Sequence, residues 1–234
     1  MVDNHAVAPT GVREEEIESR FEATFGVGLV MALQVALALV SLEAGWKLAG
    51  LPWWVWLIPT GPEAGLLLAL AWSAPRQRLE QRGLRRTVAL ALVGVITAAN
   101  VLALVALIVS LVSAQEKGGA ELLFKGATIW STNVLTFGLL FWEVDRGGPI
   151  RRLAPDPPPH DFQFPQDENP KLAEPHWAPE LADYVYISFT NAIAFSPTDA
   201  MPLTRRVKMM MLAESGISAA TVLLVAARAV NILR

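Results

Sequence analysis

Five nearly unbroken apolar stretches leave this chain little choice of environment. They are Val27–Ala44, Trp53–Ser73, Thr87–Ser113, Gly126–Trp142 and Met209–Leu233. Each is near the ~20 residues that carry a helix across about 30 Å of hydrocarbon. Lipid offers no hydrogen bonds, so backbone groups in such stretches must pair within the chain, and helices are expected. The third stretch is the cleanest, with a single Asn100 inside it, while Trp53, Trp54, Trp56 and Trp72 bracket the second as interfacial aromatics do. The predicted fold class is all-α: a helical integral membrane protein with about five transmembrane helices plus one short re-entrant or interfacial helix.

Composition narrows the function classes. Of 234 residues, 53% are hydrophobic and 18% charged, which excludes a simple soluble enzyme and a disordered chain. A net charge of −3 leaves no domain-wide basic surface, so no nucleic-acid partner is expected; the partner is the lipid bilayer. With no cysteine, disulfides, thiolate metal sites and thiol catalysis are ruled out.

The chain divides into residues 1–26, a polar N-terminal amphipathic segment; 27–143, four transmembrane helices; 144–183, a Pro-rich acidic loop; and 184–234, a short half-buried helix with the last span. Val12, Ile17, Phe21 and Phe25 fall near helical spacing, which suits an interfacial helix or a solvated start to the first span. Glu14, Glu15 and Glu16 stand where a signal peptide would be basic. Residues Val144–Asp183 hold nine prolines, and Pro157, Pro158 and Pro159 forbid a helix there, so the loop is expected to run extended over the membrane surface. Tyr184–Phe195 is apolar for only 12 residues, too short to span.

Fourteen basic residues fall on one side of a five-span topology, among them Arg76, Arg78, Arg82, Arg85, Arg86, Arg205, Arg206 and Lys208. The positive-inside rule then puts the N-terminus in the cytoplasm and keeps Tyr184–Phe195 from crossing.

Polar residues inside a span are costly and must be satisfied or used. Glu214, Ser218, Thr221 and Arg228 share one face of the last helix, at spacings that return to the same side. Arg228 is expected near Glu43 or Glu63, and Glu214 within reach of a snorkelling Arg205 or Arg206. Thr128, Thr132 and Thr136 form a second polar stripe, and Thr97 shares a face with Asn100. In Pro59-Thr60-Gly61-Pro62-Glu63 the prolines remove backbone donors, so the second span is expected to break there. Glu63 with the freed carbonyls then becomes a candidate cation or amine site. The alternative is an interfacial Trp53–Ile58 followed by a helix that begins near Pro62, with Glu63 in its first turn.

His160, Asp161, Asp167, Glu168, Glu174 and His176 match no metal-ligand spacing. No phosphate loop, catalytic triad or zinc motif is present, so no cofactor, metal or catalytic residue is assigned.

Three strings carry a resemblance: Phe141-Trp142-Glu143-Val144-Asp145-Arg146-Gly147-Gly148-Pro149, Asp161-Phe162-Gln163-Phe164-Pro165-Gln166, and Tyr184–Thr204 with Ala227-Arg228-Ala229-Val230-Asn231. Together they resemble a family of uncharacterised bacterial integral membrane proteins. That implies a multi-pass protein of the bacterial inner membrane and transfers no catalytic residue. The order of an aromatic short helix ending in Thr190, then Asp199-Ala200-Met201-Pro202, then a long helix is similar to the pore region of potassium-channel-like proteins. Where those carry a glycine-rich filter, this chain reads Thr190-Asn191-Ala192-Ile193-Ala194-Phe195, with no glycine.

The functional expectation is a channel-like or transport protein with a non-potassium-selective pore region, assembled as a homo-oligomer. Its candidate pathway or ligand-facing residues are Glu63, Thr190, Asn191, Asp199, Glu214, Thr221 and Arg228. The alternatives are a non-catalytic scaffold that binds a protein partner at the Pro-rich loop, or a membrane enzyme or lipid-modifying protein.

Overall fold

The computed structural model describes residues 10–47, 49–71, 83–113, 118–152, 154–169, 171, 177–196 and 199–232, with side chains from residue 23 onward except 229, 231 and 232. The chain is mostly helical, at 79%. Six principal helices are α1 (Thr10–Ala44), α2 (Thr60–Ala71), α3 (Arg85–Val112), α4 (Gly119–Val144), α5 (Leu181–Ala194) and α6 (Arg205–Ile232). A two-stranded pairing joins β1 (Phe162–Gln163) to β2 (Met201–Pro202), antiparallel, with Phe162 opposite Pro202.

Among the described residues four stretches are long and apolar enough to cross a membrane: Ala23–Ala44, Trp53–Ala71, Arg85–Val112 and Arg205–Arg228. The all-α expectation holds, and these helices are compatible with a membrane protein. Of the two readings of Val12–Phe25, the structure has the helical start to the first stretch rather than a separate interfacial helix. Thr10–Ala44 is one continuous helix of 35 residues, because the sequence places no proline at the junction. The glycine there, Gly26, lies against Leu181 and Leu139, where a methyl group would sit 3.1 and 3.2 Å from their Cδ2 atoms.

The polar α4 occupies the middle, packed against α1, α3, α5 and α6. Sixteen of its 26 residues are buried, among them Thr128, Thr132, Asn133 and Thr136. A helix enclosed by other helices need not be apolar on every face, and α4, which holds the expected stretch Gly126–Trp142, is not among the four.

The bundle has two chemically distinct ends. One carries Arg85, Arg86, Arg146, Arg151, Arg152, Arg205 and Arg206; the other has Lys47 and Lys125, with Lys125 Nζ donating to Lys47 O at 2.8 Å. Near the basic end the core is built on Val30, Leu92, Ile96, Phe137, Phe141 and Tyr184. Toward the other it is built on Leu104, Leu107, Leu122 and Ile129, with Trp56 against them.

After Trp53–Leu57, a single 3₁₀ segment, α2 begins at Thr60, whose hydroxyl donates to Leu57 O at 2.6 Å. The helix change expected around Pro59 is present. Glu63 occupies the first turn of α2, as in the second of the two arrangements weighed from the sequence.

The chain enters α5 at the basic end, and α5 stops inside the bundle, where Asn191 near its far end meets Met211 and Glu214 of α6. Helix α5 runs antiparallel to α4, held by Ser188 Oγ donating to Val134 O at 2.7 Å and by an edge-on contact of Trp130 with Phe189 at 5.7 Å. It stops at Phe195, which takes the left-handed conformation at φ 54°. The chain then returns, and Leu203 N donates to Asp161 O at 2.8 Å before α6 starts.

The Pro-rich loop departs from the expected surface course. Residues 157–160 are non-helical, but Phe162 and Phe164 turn into the core, stacking edge-on with Phe141 at 5.2 Å and Tyr184 at 5.5 Å. A pair of aromatics two residues apart gains more by burial than the extended course retains by hydration.

Candidate functional site

Two buried polar assemblies stand out. The first crosses the bundle between α3 and α5. Asn100 on α3 donates to Asn133 Oδ1 at 3.4 Å, and Asn133 donates to Ser218 Oγ at 2.9 Å and to Glu214 O at 3.3 Å. The Glu214 carboxylate receives Asn191 Nδ2 at 2.6 Å on one oxygen and pairs with Ser188 Oγ on the other. Asn191 also donates to Met211 O at 3.0 Å, tying α5 to α6 beside the same carboxylate. Glu214, Ser188 and Ser218 are fully buried. Their positions follow from helical geometry: Ser188 and Asn191 are three apart on α5, and Glu214 and Ser218 four apart on α6, so each pair shares a face.

This corrects the expectation that Arg205 or Arg206 serves Glu214. Eight residues of helix, about 12 Å, separate Arg206 from Glu214, and amide and hydroxyl donors from α5 are nearer. Arg206 instead joins the second assembly, at the basic end. Its Nε donates to Asp161 Oδ1 at 2.7 Å, its Nη2 pairs with Asp161 Oδ2, and Thr204 Oγ1 donates to Asp161 Oδ1 at 2.6 Å. Burial disfavours charge on Asp161, but the donors from Arg206 and Thr204 outweigh it and hold its carboxyl below the ordinary aspartate value. Beside it, Asp145 Oδ1 accepts the backbone N–H of Asp161 at 2.9 Å and of Phe162 at 3.2 Å. Tyr184 Oη donates to Asp145 Oδ2 at 2.6 Å and accepts from Arg152 Nη1 at 2.7 Å. Burial, reinforced by the Asp145 carboxylate, raises the phenol above its ordinary value and keeps it a donor. Asp145-Arg146-Gly147-Gly148 makes this possible by turning sharply after α4, with φ of 80° and 98° at the two glycines.

Of the residues singled out from the sequence, Asn191 and Glu214 meet directly. Thr221 is buried further along the same face, its hydroxyl turned to Ile217 O at 2.8 Å. Thr190 is half-buried and bonds Ile187 O at 3.0 Å, and Asp199 is exposed, so neither joins the Glu214 cluster. Arg228 lies on the last turns of α6, away from it. Glu63 is fully buried on the other side of the bundle, where Gln34 Nε2 donates to its Oε1 at 2.9 Å. Bordered by α1, the Trp53–Leu57 segment, α3 and α4 lies a cavity of about 30 Å³ lined by Gln34, Trp56, Asn100, Thr128 and Thr132, room for about two waters at most. Thr128 and Thr136 turn their hydroxyls back to Phe124 O and Thr132 O, at 2.9 and 2.6 Å, in the commonplace manner of helical threonines.

The residues missed from the sequence are Asp145, Arg152 and Tyr184, whose partners lie up to 39 positions away. Asp145 stands in the string from Phe141 to Pro149 and Tyr184 opens the one from Tyr184 to Thr204, whereas Arg152 lies in neither. Among the described residues no group of three His, Cys, Asp or Glu side chains is placed to hold a metal ion; Glu174 and His176 lie outside those residues. Comparison with protein-family models, curated proteins and solved structures finds no match to this chain.

Proposed function

We propose that this is a multi-pass inner-membrane protein of channel-like or transport type, in which α5, its return segment and α6 border the pathway. The observation that carries the reading is the course of α5 and the segment after it: a 14-residue helix that starts at the basic end, stops inside the bundle and lays Ser188 and Asn191 on a buried carboxylate of the neighbouring long helix, before the chain returns to the same end. Half-crossing helices of this kind recur where membrane proteins bring polar groups to mid-depth. In this reading α1, the Trp53–Ala71 stretch, α3, α4 and α6 are five spans. The basic end faces the cytoplasm, the N-terminus lies there, and α5 enters from inside, opposite to the pore helix of a potassium channel. Bacterial membership rests on the resemblance of the three strings, and homo-oligomeric assembly is part of the same proposal.

The scaffold alternative needs a loop free to bind a partner. Asp161, Phe162 and Phe164 of that loop are turned into the protein's own bundle, which favours the transport reading.

The test has two arms. Cysteines replacing Gly118 and the exposed Met201 are probed in intact cells with an impermeant thiol reagent; position 118 labels and 201 stays protected. Purified protein in vesicles then conducts protons or small monovalent cations, and Glu214→Leu abolishes the flux. A silent wild type refutes the function, and labelling at 201 from outside inverts the topology.

A further inference from the structure

Glu63 and Gln34 present a hydrogen-bonding mismatch that identifies what they hold. Gln34 Nε2 donates to Glu63 Oε1 at 2.9 Å. The other two side-chain oxygens, Glu63 Oε2 and Gln34 Oε1, are sealed from solvent, and no protein donor reaches either. An ionised carboxylate and an amide oxygen are both acceptors. Turning the amide over only sets a different acceptor against a carboxylate oxygen. One hydrogen atom on Glu63 satisfies both groups at once. The pair then closes as a carboxylic acid–amide ring, with N–H of Gln34 on one carboxyl oxygen and O–H of Glu63 on the amide oxygen.

The surroundings agree. The helix α2 packs against α1 and α3. Among the described side chains the charged residues on those three helices, besides Glu63, are Glu43, Arg85 and Arg86. Glu43 is exposed and lies about 13 Å further along α1 than Gln34. Arg85 shares a wall with Ala71, at the other end of α2, about 12 Å along the axis from Glu63. None stands close enough to serve as a counter-ion for a buried carboxylate, which in such surroundings is costly.

We propose that Glu63 and Gln34 form a proton-binding site inside the bundle: Glu63 carries a proton on Oε2 at neutral pH and donates it to Gln34 Oε1. The ligand is the proton itself. The cavity that Gln34 shares with Asn100 stands beside the site, so a proton released from Glu63 meets polar groups that continue through Asn133 to Glu214. The assignment does not depend on the flux reading.

Infrared spectroscopy of the full chain in lipid nanodiscs tests it, with exchange of the proton for a deuteron as the probe. Wild type at neutral pH shows a protonated-carboxyl C=O stretch that shifts down in D₂O. Glu63→Gln removes that component while Glu214→Gln leaves it, and Gln34→Leu moves it to higher frequency because the acid loses its amide acceptor. Glu63→Gln keeps the closed ring as an amide–amide pair, so its thermal midpoint stays with wild type. If Glu63→Gln takes intensity only from the ionised-carboxylate bands, Glu63 is charged and solvated by water, and the proposal fails. An unshifted band in Gln34→Leu also overturns it, without any change at Glu63.

Discussion

Two glycines on α4 let neighbouring helices approach, and exchanging each for alanine should give opposite lessons about contact distance. A methyl group at Gly126 would lie 2.6 Å from Val225 Cγ2 on α6; at Gly138 it would lie 2.8 Å from Val185 Cγ2 and 2.9 Å from Val185 Cα on α5. Distance alone ranks Gly126→Ala as the worse clash. The identity of the atoms reverses the order. At position 126 all three nearest atoms belong to the Val225 side chain, at 2.6, 3.4 and 3.5 Å, so turning that side chain relieves them without moving backbone. At position 138 the obstacle is backbone, so α5 itself must move by over half an ångström to restore an ordinary contact. Overpacking of this kind costs about 1–3 kcal/mol, against a helix-propensity gain of about 1 kcal/mol for replacing glycine. Gly126→Ala should therefore come out near neutral, and Gly138→Ala destabilising by about 1–2 kcal/mol. Displacing α5 also draws Ser188 away from Val134 O and Asn191 from Glu214. Thermal unfolding in detergent reads the first effect. Amide exchange at Leu181–Ala194 reads the second, and should rise for Gly138→Ala alone. If Gly126→Ala proves the more damaging, or Gly138→Ala raises the midpoint, the argument from backbone contact is wrong.

Tyr184→Phe keeps the ring contacts with Phe162 and Phe164 but removes two bonds to charged partners that each retain others. The loss is about 2 kcal/mol, and at about 2–4 °C per kcal/mol for a chain of this size the midpoint should fall by roughly 4–8 °C in a melting experiment. Phe162→Ala empties a fully buried site and should cost about 3–5 kcal/mol, seen also as faster proteolysis of the loop. Because Asp161 titrates below its ordinary value when folded, its contribution is complete above the ordinary aspartate range and is lost as pH falls through the depressed one. Asp161→Asn should consequently flatten the acid side of a stability–pH curve while leaving its alkaline side unchanged. Asn133→Leu removes the link between α3 and α6, and a denaturation series in detergent should show a loss of about 1–2 kcal/mol.

The long helices were legible because hydrocarbon-length apolar runs are a local property, and Thr87–Ser113 needed nothing else. So was the shortness of α5, and so was the face shared by Glu214 and Ser218, since helical spacing fixes it. The partners on the opposing faces were not. Asp161 and Arg206 are 45 positions apart, and no periodicity announces a pair closed by a loop and a strand bridge. The charge of Arg206 suggested Glu214 because the two share a helix, whereas tertiary contact gave it the buried Asp161 at the basic end. Phe162 and Phe164 were hidden by their setting: proline and acid around them read as solvated, and the burial of two aromatics outweighs that local bias. Glu63 was found as an oddity next to prolines, but Gln34, 29 residues earlier, supplies its meaning.

The polarity of α4 also constrains how the protein is made. Its Thr, Asn and Lys residues weaken its partition from the translocon into lipid, since insertion depends on each segment's own hydrophobicity. Asn133 finds Ser218 and Glu214, and Val134 O finds Ser188, only after α5 and α6 have been synthesised. A chain stopped after residue 169 would hold a central helix whose polar groups face lipid or one another, and quality-control proteases should recognise it as unfinished. Residues 181–232 thus complete the middle of the bundle, and in the five-span reading proposed above α6 is the helix that commits α4 to the membrane.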